Sequence, residues 1–136
     1  MKFNETKIKG LYIAELEPLS DDRGFFERAY CNKELEKINI KKPIKQINHS
    51  LTLTVGAIRG MHYQNHPHSE IKMVRCIVGE VFDVAIDLRK DSDTFLQWHG
   101  ECLNSENFKM MVIPEGFAHG FQVIKPNSEL LYFHTE

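Results

Sequence analysis

The chain has 136 residues, 42% of them hydrophobic and 26% charged, with a formal net charge of −2. That is the length of one domain with enough apolar residues for a core, and its near-neutral balance excludes the bulk positive field that gathers proteins on nucleic acid or anionic membranes. Cys31, Cys76 and Cys102 are too widely spaced for a disulfide framework, the polar run Met1–Gly10 is no apolar leader, and no apolar run has membrane-spanning length, so the expected setting is the cytoplasm.

Taken in chain order, period-two alternation dominates. "KGLYIAELEPL" sets Leu11 and Ile13 in alternation, adds Leu16 and stops at Pro18, which reads as a strand. "SDDRGFFERAY" starts with turn residues and runs into an aromatic strand. "NKELEKINI" places Leu35 and Ile38 at helical spacing among charges, a short helix. "PIKQINHSLTLT" alternates again, and "GAIRGMHYQ" is a strand bounded by glycines. "NHPHSE" reads as a loop. "IKMVRCIVGEVFDVAIDLR" is two strands joined at Gly79-Glu80. "KDSDTFLQ" is a turn-rich connection, and "WHGECLN", "KMMVIPEGFAHGFQVIK" and "LLYFHTE" supply the remaining strands. About ten short strands separated by turn signals, with one short helix, predict a single all-β domain over 1–136, of sandwich, jelly-roll or barrel type. No linker, repeat or low-complexity segment interrupts it.

The informative residues are the polar ones inside strands. Arg59, His62 and Gln64 share one strand, and Lys72 alternates with Val74 and Cys76 while Arg75 points the other way. Asp83 and Asp87 interrupt the apolar run "VFDVAIDL", and His119 follows a Pro-Glu-Gly turn. A buried charge is costly unless it is paired. Strands that repeatedly set His, Lys, Arg and Asp among apolar neighbours predict a polar pocket inside the barrel, against the alternative that each points outward to water.

Histidines in a jelly roll raise the question of a metal cupin. Pro114-Glu115-Gly116-Phe117-Ala118-His119 fits the Pro-x-Gly-x-x-His pattern of one cupin motif. The other motif needs His-x-His followed at longer range by Glu. Here Glu70 comes directly after His68-Ser69, and a proline separates His66 from His68. On a strand, spacing decides which side chains converge. The expectation is therefore that His66 and His68 are loop residues and that the site uses no metal or other cofactor.

The stretches "DDRGFFERAYC", "QINHSLT", "GAIRGMHYQ", "EIKMVRCIVGEVFDVAIDLRKDSDTF", "VIPEGFAHGFQV" and "ELLYF" together resemble the sugar-nucleotide 3,5-epimerase family, typified by dTDP-4-dehydrorhamnose 3,5-epimerase. They run in order along nearly the whole chain. The resemblance implies a cupin-type jelly-roll barrel, a nucleoside-diphosphate 4-keto-6-deoxy sugar as substrate, and a homodimer that exchanges strands, with neither nucleic acid nor membrane as partner. It implies His62 as the base that removes a proton beside the C4 ketone, Lys72 at the C4 oxygen and Tyr132 as proton donor on the opposite face. It implies Arg59 as a diphosphate or sugar contact, Phe26 as a stacking contact to the nucleotide base, and Arg23, Gln46, Asn48 and His119 as further pocket residues. Asp83, inside the barrel, is expected to orient Lys72 or another cation.

The chain departs from the family pattern in two ways. Arg28 occupies the glutamate position of the Arg-Gly-x-Phe-x-Glu motif, with Glu27 one place earlier. Family members also continue past the position of Glu136, through a segment that supplies an aspartate to the base histidine, so the chain is expected to be a short member. Asp83 and Asp87 are the interior carboxylates open to that role. The leading expectation is an epimerase acting at C3, C5 or both in surface polysaccharide and deoxysugar biosynthesis. The alternatives are a 3-epimerase or 3,4-ketoisomerase variant, or a barrel that binds a sugar nucleotide or pairs with another subunit without turnover.

Overall fold

The computed structural model describes residues 1–136. Twelve strands follow in the order β1 (Lys2–Glu5), β2 (Tyr12–Glu15), β3 (Leu19–Asp21), β4 (Gly24–Phe26), β5 (Gln46–Thr52), β6 (Ile58–His62), β7 (Lys72–Val78), β8 (Glu80–Asp87), β9 (Trp98–Asn104), β10 (Lys109–Ile113), β11 (Phe117–Val123) and β12 (Ser128–His134). Helix α1 (Asn32–Leu35) and a 3-10 turn (Glu36–Ile38) lie between β4 and β5. Asn39, in the left-handed region at φ 62°, ends that helical segment.

Six strands form one sheet in the order β1-β2-β10-β7-β12-β5, and four form a second in the order β6-β11-β8-β9. Strands β3 and β4 make a separate hairpin. Every pairing is antiparallel. The fold is the expected jelly roll. Two elements were not legible as drawn: β1, hidden in a polar terminus, and the closure of the aromatic stretch into a hairpin with Leu19–Asp21.

Apolar side chains of both sheets meet between them, among them Val74, Val81, Leu103, Met111, Phe121 and Leu130. The six-stranded sheet is also covered on its other face, where Leu35 and Ile40 pack on Met73, Met110, Val112 and Phe133. This explains why four successive residues of β7, Met73 to Cys76, are all buried. By contrast β8 alternates buried and partly exposed residues along its whole length, the mark of a strand with one wet face.

Two interior charges are structural. Arg75 points into the second apolar layer, donates to the carbonyls of Asn104 (2.7 Å) and Cys76, and lies over the Phe108 ring. Glu27 stands 3.6 Å from it, and Arg28 instead pairs with Glu34. Asp87 is fully buried and accepts from Arg89 (2.8 Å), Ser92 (2.7 Å) and Thr94 (2.7 Å). Burial acts to raise its carboxyl, but these donors outweigh it and hold the acid well below the usual carboxylate range. Asp87 is therefore committed to the turn after β8, not to His62.

Candidate active site

Along β7 the inward residues run Cys76, Val74, Lys72, and along β12 they run Leu130, Tyr132, His134. The two strands are paired in register, Leu130 with Cys76, Tyr132 with Val74 and His134 with Lys72. Apolar core thus gives way to polar groups toward one end of the barrel. A cavity of about 260 Å³ opens there, lined by Asn48 and Ser50 of β5, Arg59 and His62 of β6, Lys72, His119 and Phe121 of β11, Tyr132 and His134. A larger hollow of about 540 Å³ lies against Lys7, Lys9, Arg89, Asp91, Ser92, Asp93 and Thr94 and has no hydrophobic wall residue. Its arginine is already taken by Asp87.

Arg59 and His62 are three residues apart, so a regular strand would point them to opposite faces. Both reach the cavity because β6 is bulged. His119 pairs with His62 and Phe121 with Arg59, so two steps along β11 match three along β6. Glycines make this possible. A Cβ on Gly60, at φ 124°, would lie 2.5 Å from the Cα of Gly120 and 2.9 Å from the carbonyl of His119. The two backbones approach as no other pair of residues would permit.

Several of the polar groups are individually anchored. Arg59 donates Nε–H to the hydroxyl of Thr52 at 2.9 Å. Tyr132 shares a 2.9 Å hydrogen bond with Ser50. Burial pushes the Tyr132 phenol above its ordinary value, although the Ser50 contact works the other way. His119 donates Nε2–H to Asp83 at 2.8 Å. Asp83 is fully buried and its second oxygen has no partner.

Lys72 stands 3.1 Å from one oxygen of Glu70, and Nδ1 of His134 stands 2.6 Å from the other. Burial acts to raise the Glu70 carboxyl, but the His134 hydrogen bond and the Lys72 charge outweigh it and hold the group at about 2. Glu70 is therefore an anion at neutral pH, and it is the His134 Nδ1–H that donates.

The structure brings His62, Lys72, Tyr132, Arg59, Asn48 and His119 of the sequence expectations into one cavity. Gln46 stands one step out. It accepts from Asn48 at 3.1 Å and donates to the carbonyl of Glu136. Asp83 orients His119, and Glu70, not Asp83, holds Lys72. Arg23 and Phe26 lie on the exposed β3–β4 hairpin and do not line the cavity of their own chain. His66 lines a different surface hollow, and His68 faces Glu136. Sequence reasoning missed Ser50, Phe121 and His134, each two residues from a residue it named; the strand period alone points to them. It also missed Glu70, whose only signal was its place next to Lys72.

The family model described as dTDP-4-dehydrorhamnose 3,5-epimerase matches residues 5–136. The dTDP-4-dehydrorhamnose 3,5-epimerase of Shigella flexneri is 45% identical over 133 residues, which is 97% of this chain and 73% of that protein. The crystal structure of the enzyme of that name from Bacillus anthracis, with TDP and PPi bound, superposes with a TM-score of 0.95 at 38% identity, over 99% of this chain and 77% of the other. The dTDP-6-deoxy-D-glucose-3,5-epimerase of Legionella pneumophila, in complex with dTDP-4-keto-L-rhamnose, gives 0.94 at 39% identity, over 99% and 71%.

Proposed function

The chain belongs to the dTDP-4-dehydrorhamnose 3,5-epimerase family, and from that premise we propose that its cavity inverts carbon centres beside the ketone of a nucleoside-diphosphate 4-keto-6-deoxy sugar. As a member of this family it is an isomerase of deoxysugar biosynthesis, the chemistry that feeds surface polysaccharides. One observation carries the reading: an imidazole, an ammonium and a phenol, His62, Lys72 and Tyr132, converge on one cavity from three strands. Proton abstraction next to a carbonyl needs a base, a donor at the developing oxyanion, and an acid across the ring.

His62 takes the proton from C3 or C5, the C–H electron pair becomes the new carbon–carbon double bond, and the carbonyl π pair moves onto the C4 oxygen. The Lys72 ammonium faces the negative charge that appears there, in surroundings where an ion is worth more than in water. Tyr132 returns a proton to the opposite face, and its raised pKa keeps the phenol protonated until then. Arg59, with Nε already tied to Thr52, offers its remaining nitrogens to phosphate oxygens. No step calls on a cofactor.

A homodimer completes the proposal. The outer edges β5 and β6 expose Ile47, Leu51, Ile58 and Met61, with Leu53 and Val55 between them. Contiguous apolar edges of this kind are covered in stable assemblies. The exposed hairpin carrying Arg23 and Phe26 is then free to reach the cavity of the second subunit. The cysteines stand as free thiols, which supports a reducing, cytoplasmic setting. No helix is long and apolar enough to cross a membrane.

Proton NMR of dTDP-4-keto-6-deoxy-D-glucose incubated with the protein tests the reading. Vicinal couplings that report inversion at C3 and C5 support it, and inversion at C3 alone narrows it to a 3-epimerase. An unchanged sugar that nevertheless binds would replace it with a binding role.

A further inference from the structure

His134 and Lys72 are cross-strand partners on the cavity wall, and one buried carboxylate, Glu70, holds both. Because Glu70 takes the Nδ1–H of His134, the neutral ring carries its lone pair on Nε2, the nitrogen that makes no hydrogen bond within the chain. Directly opposed residues of an antiparallel pair are about 5 Å apart at Cα. Their ends are closer still, since Lys72 Nζ and His134 Nδ1 sit on the two oxygens of one carboxylate, side by side as a carbonyl oxygen and the substituent on the neighbouring ring carbon are. If Lys72 faces the C4 oxygen, His134 faces what lies beside it. In a 4-keto-6-deoxy hexose those neighbours are a hydroxyl on C3 and a methyl-bearing carbon at C5, and only the hydroxyl has a hydrogen to give to a lone pair.

We propose that His134 is a specificity residue that accepts a hydrogen bond from the C3 hydroxyl through Nε2, and that Glu70 is the positioning residue that sets both His134 and Lys72. This rests on the epimerase reading above. The groups around the ring fit the role. Lys72 and Glu70 lie on one side, Tyr132 stacks at 6.1 Å on its own strand, and Gln46 is its partner on β5. Of these, Glu70 alone is a carboxylate, and it fixes the tautomer. A site that hydrogen-bonds a substrate hydroxyl discriminates at that carbon, because an imperfect partner leaves a buried acceptor unpaired. The contact therefore acts on events at C3 more than at C5.

The test is deuterium uptake from heavy water into dTDP-4-keto-6-deoxy-D-glucose, read separately at C3 and C5. In His134→Leu the ratio of C3 to C5 uptake should fall about tenfold, the scale of one buried hydrogen bond. His134→Gln, whose amide reaches the position of Nε2, should recover part of it. Glu70→Gln should slow both carbons, because Lys72 is released together with His134. Nitrogen-15 NMR of the imidazole should show Nδ1 protonated and Nε2 bare in the wild type at pH 8, with that preference weakened in Glu70→Gln, whose neutral amide is the poorer acceptor. Uptake by the wild type with an unchanged C3 to C5 ratio in His134→Leu would overturn the inference and leave the epimerase reading standing. A ring protonated on Nε2 in the wild type would do the same. No uptake by the wild type at either carbon would overturn both.

Discussion

Tyr132 is buried for most of its ring and wet only at the cavity, so replacing it with phenylalanine removes one hydroxyl and little packing. Tyr132→Phe should show a specific defect. Inversion should fall by about 10²–10⁴, the usual worth of one proton-transferring group. Deuterium exchange should persist, because His62 can still take a proton and return a deuteron to the same face. Loss of both together would mean that Tyr132 does not act as the separate acid. Glu70 makes a second prediction, in acid. Its carboxyl sits at about 2 in the folded chain against an ordinary 4.5. A depressed carboxyl contributes stability that is fully present above its unfolded value and lost as pH falls through the folded one. Unfolding in urea should therefore weaken from near pH 5 toward pH 2, and Glu70→Gln should flatten that slope; an unchanged slope would show that the pair contributes nothing. His62, Lys72 and Tyr132 were legible because each sits in a distinctive run, "RGMHYQ", "EIKMVRC" and "LLYF". Glu70 was not, because a glutamate at the end of the polar run "NHPHSE" reads as solvated. Only the pairing of β12 with β7 sets it between Lys72 and His134.

At the scale of elements, the strands were legible because alternation survives wherever one face is wet, as in β8. What alternation cannot show is a change of phase. The bulge in β6 adds one residue and lets Arg59 and His62 share a face, yet "GAIRGMHYQ" reads as an unbroken strand. The glycines hinted at it without saying where the backbones meet. Gly60→Ala should be destabilising by about 1–3 kcal/mol from its positive φ alone, and by more where the new Cβ meets Gly120. Chemical denaturation would measure the loss. A variant as stable as the wild type, with activity intact, would show that the close approach does not hold the site. The polar strand β1 was missed for a different reason: it is an edge strand, paired only with β2, and its side chains need not be apolar.

The whole molecule is where a single chain tells least about itself. Arg23 and Phe26 matched pocket positions by motif, yet their hairpin lies off the cavity of its own chain. A dimer reconciles the two, and complementation tests it. Arg23→Ala and His62→Ala should each be poorly active alone. Mixed and allowed to exchange subunits, they should regain activity, because one site then pairs an intact His62 with an intact hairpin from its neighbour. Sedimentation should find a species near twice the 15.8 kDa chain. A monomer, or mixtures that never recover, would place the hairpin outside the site.

Everything proposed for the cavity turns on His62 removing a proton beside the C4 ketone. Wild type and His62→Ala should be compared side by side in heavy water with dTDP-4-keto-6-deoxy-D-glucose, following deuterium at C3 and C5 by NMR. The wild type should take up deuterium and the variant almost none while remaining folded, since His62 lies on an exposed edge strand. Equal uptake by the two proteins would contradict it and hand the base to another imidazole of the cavity.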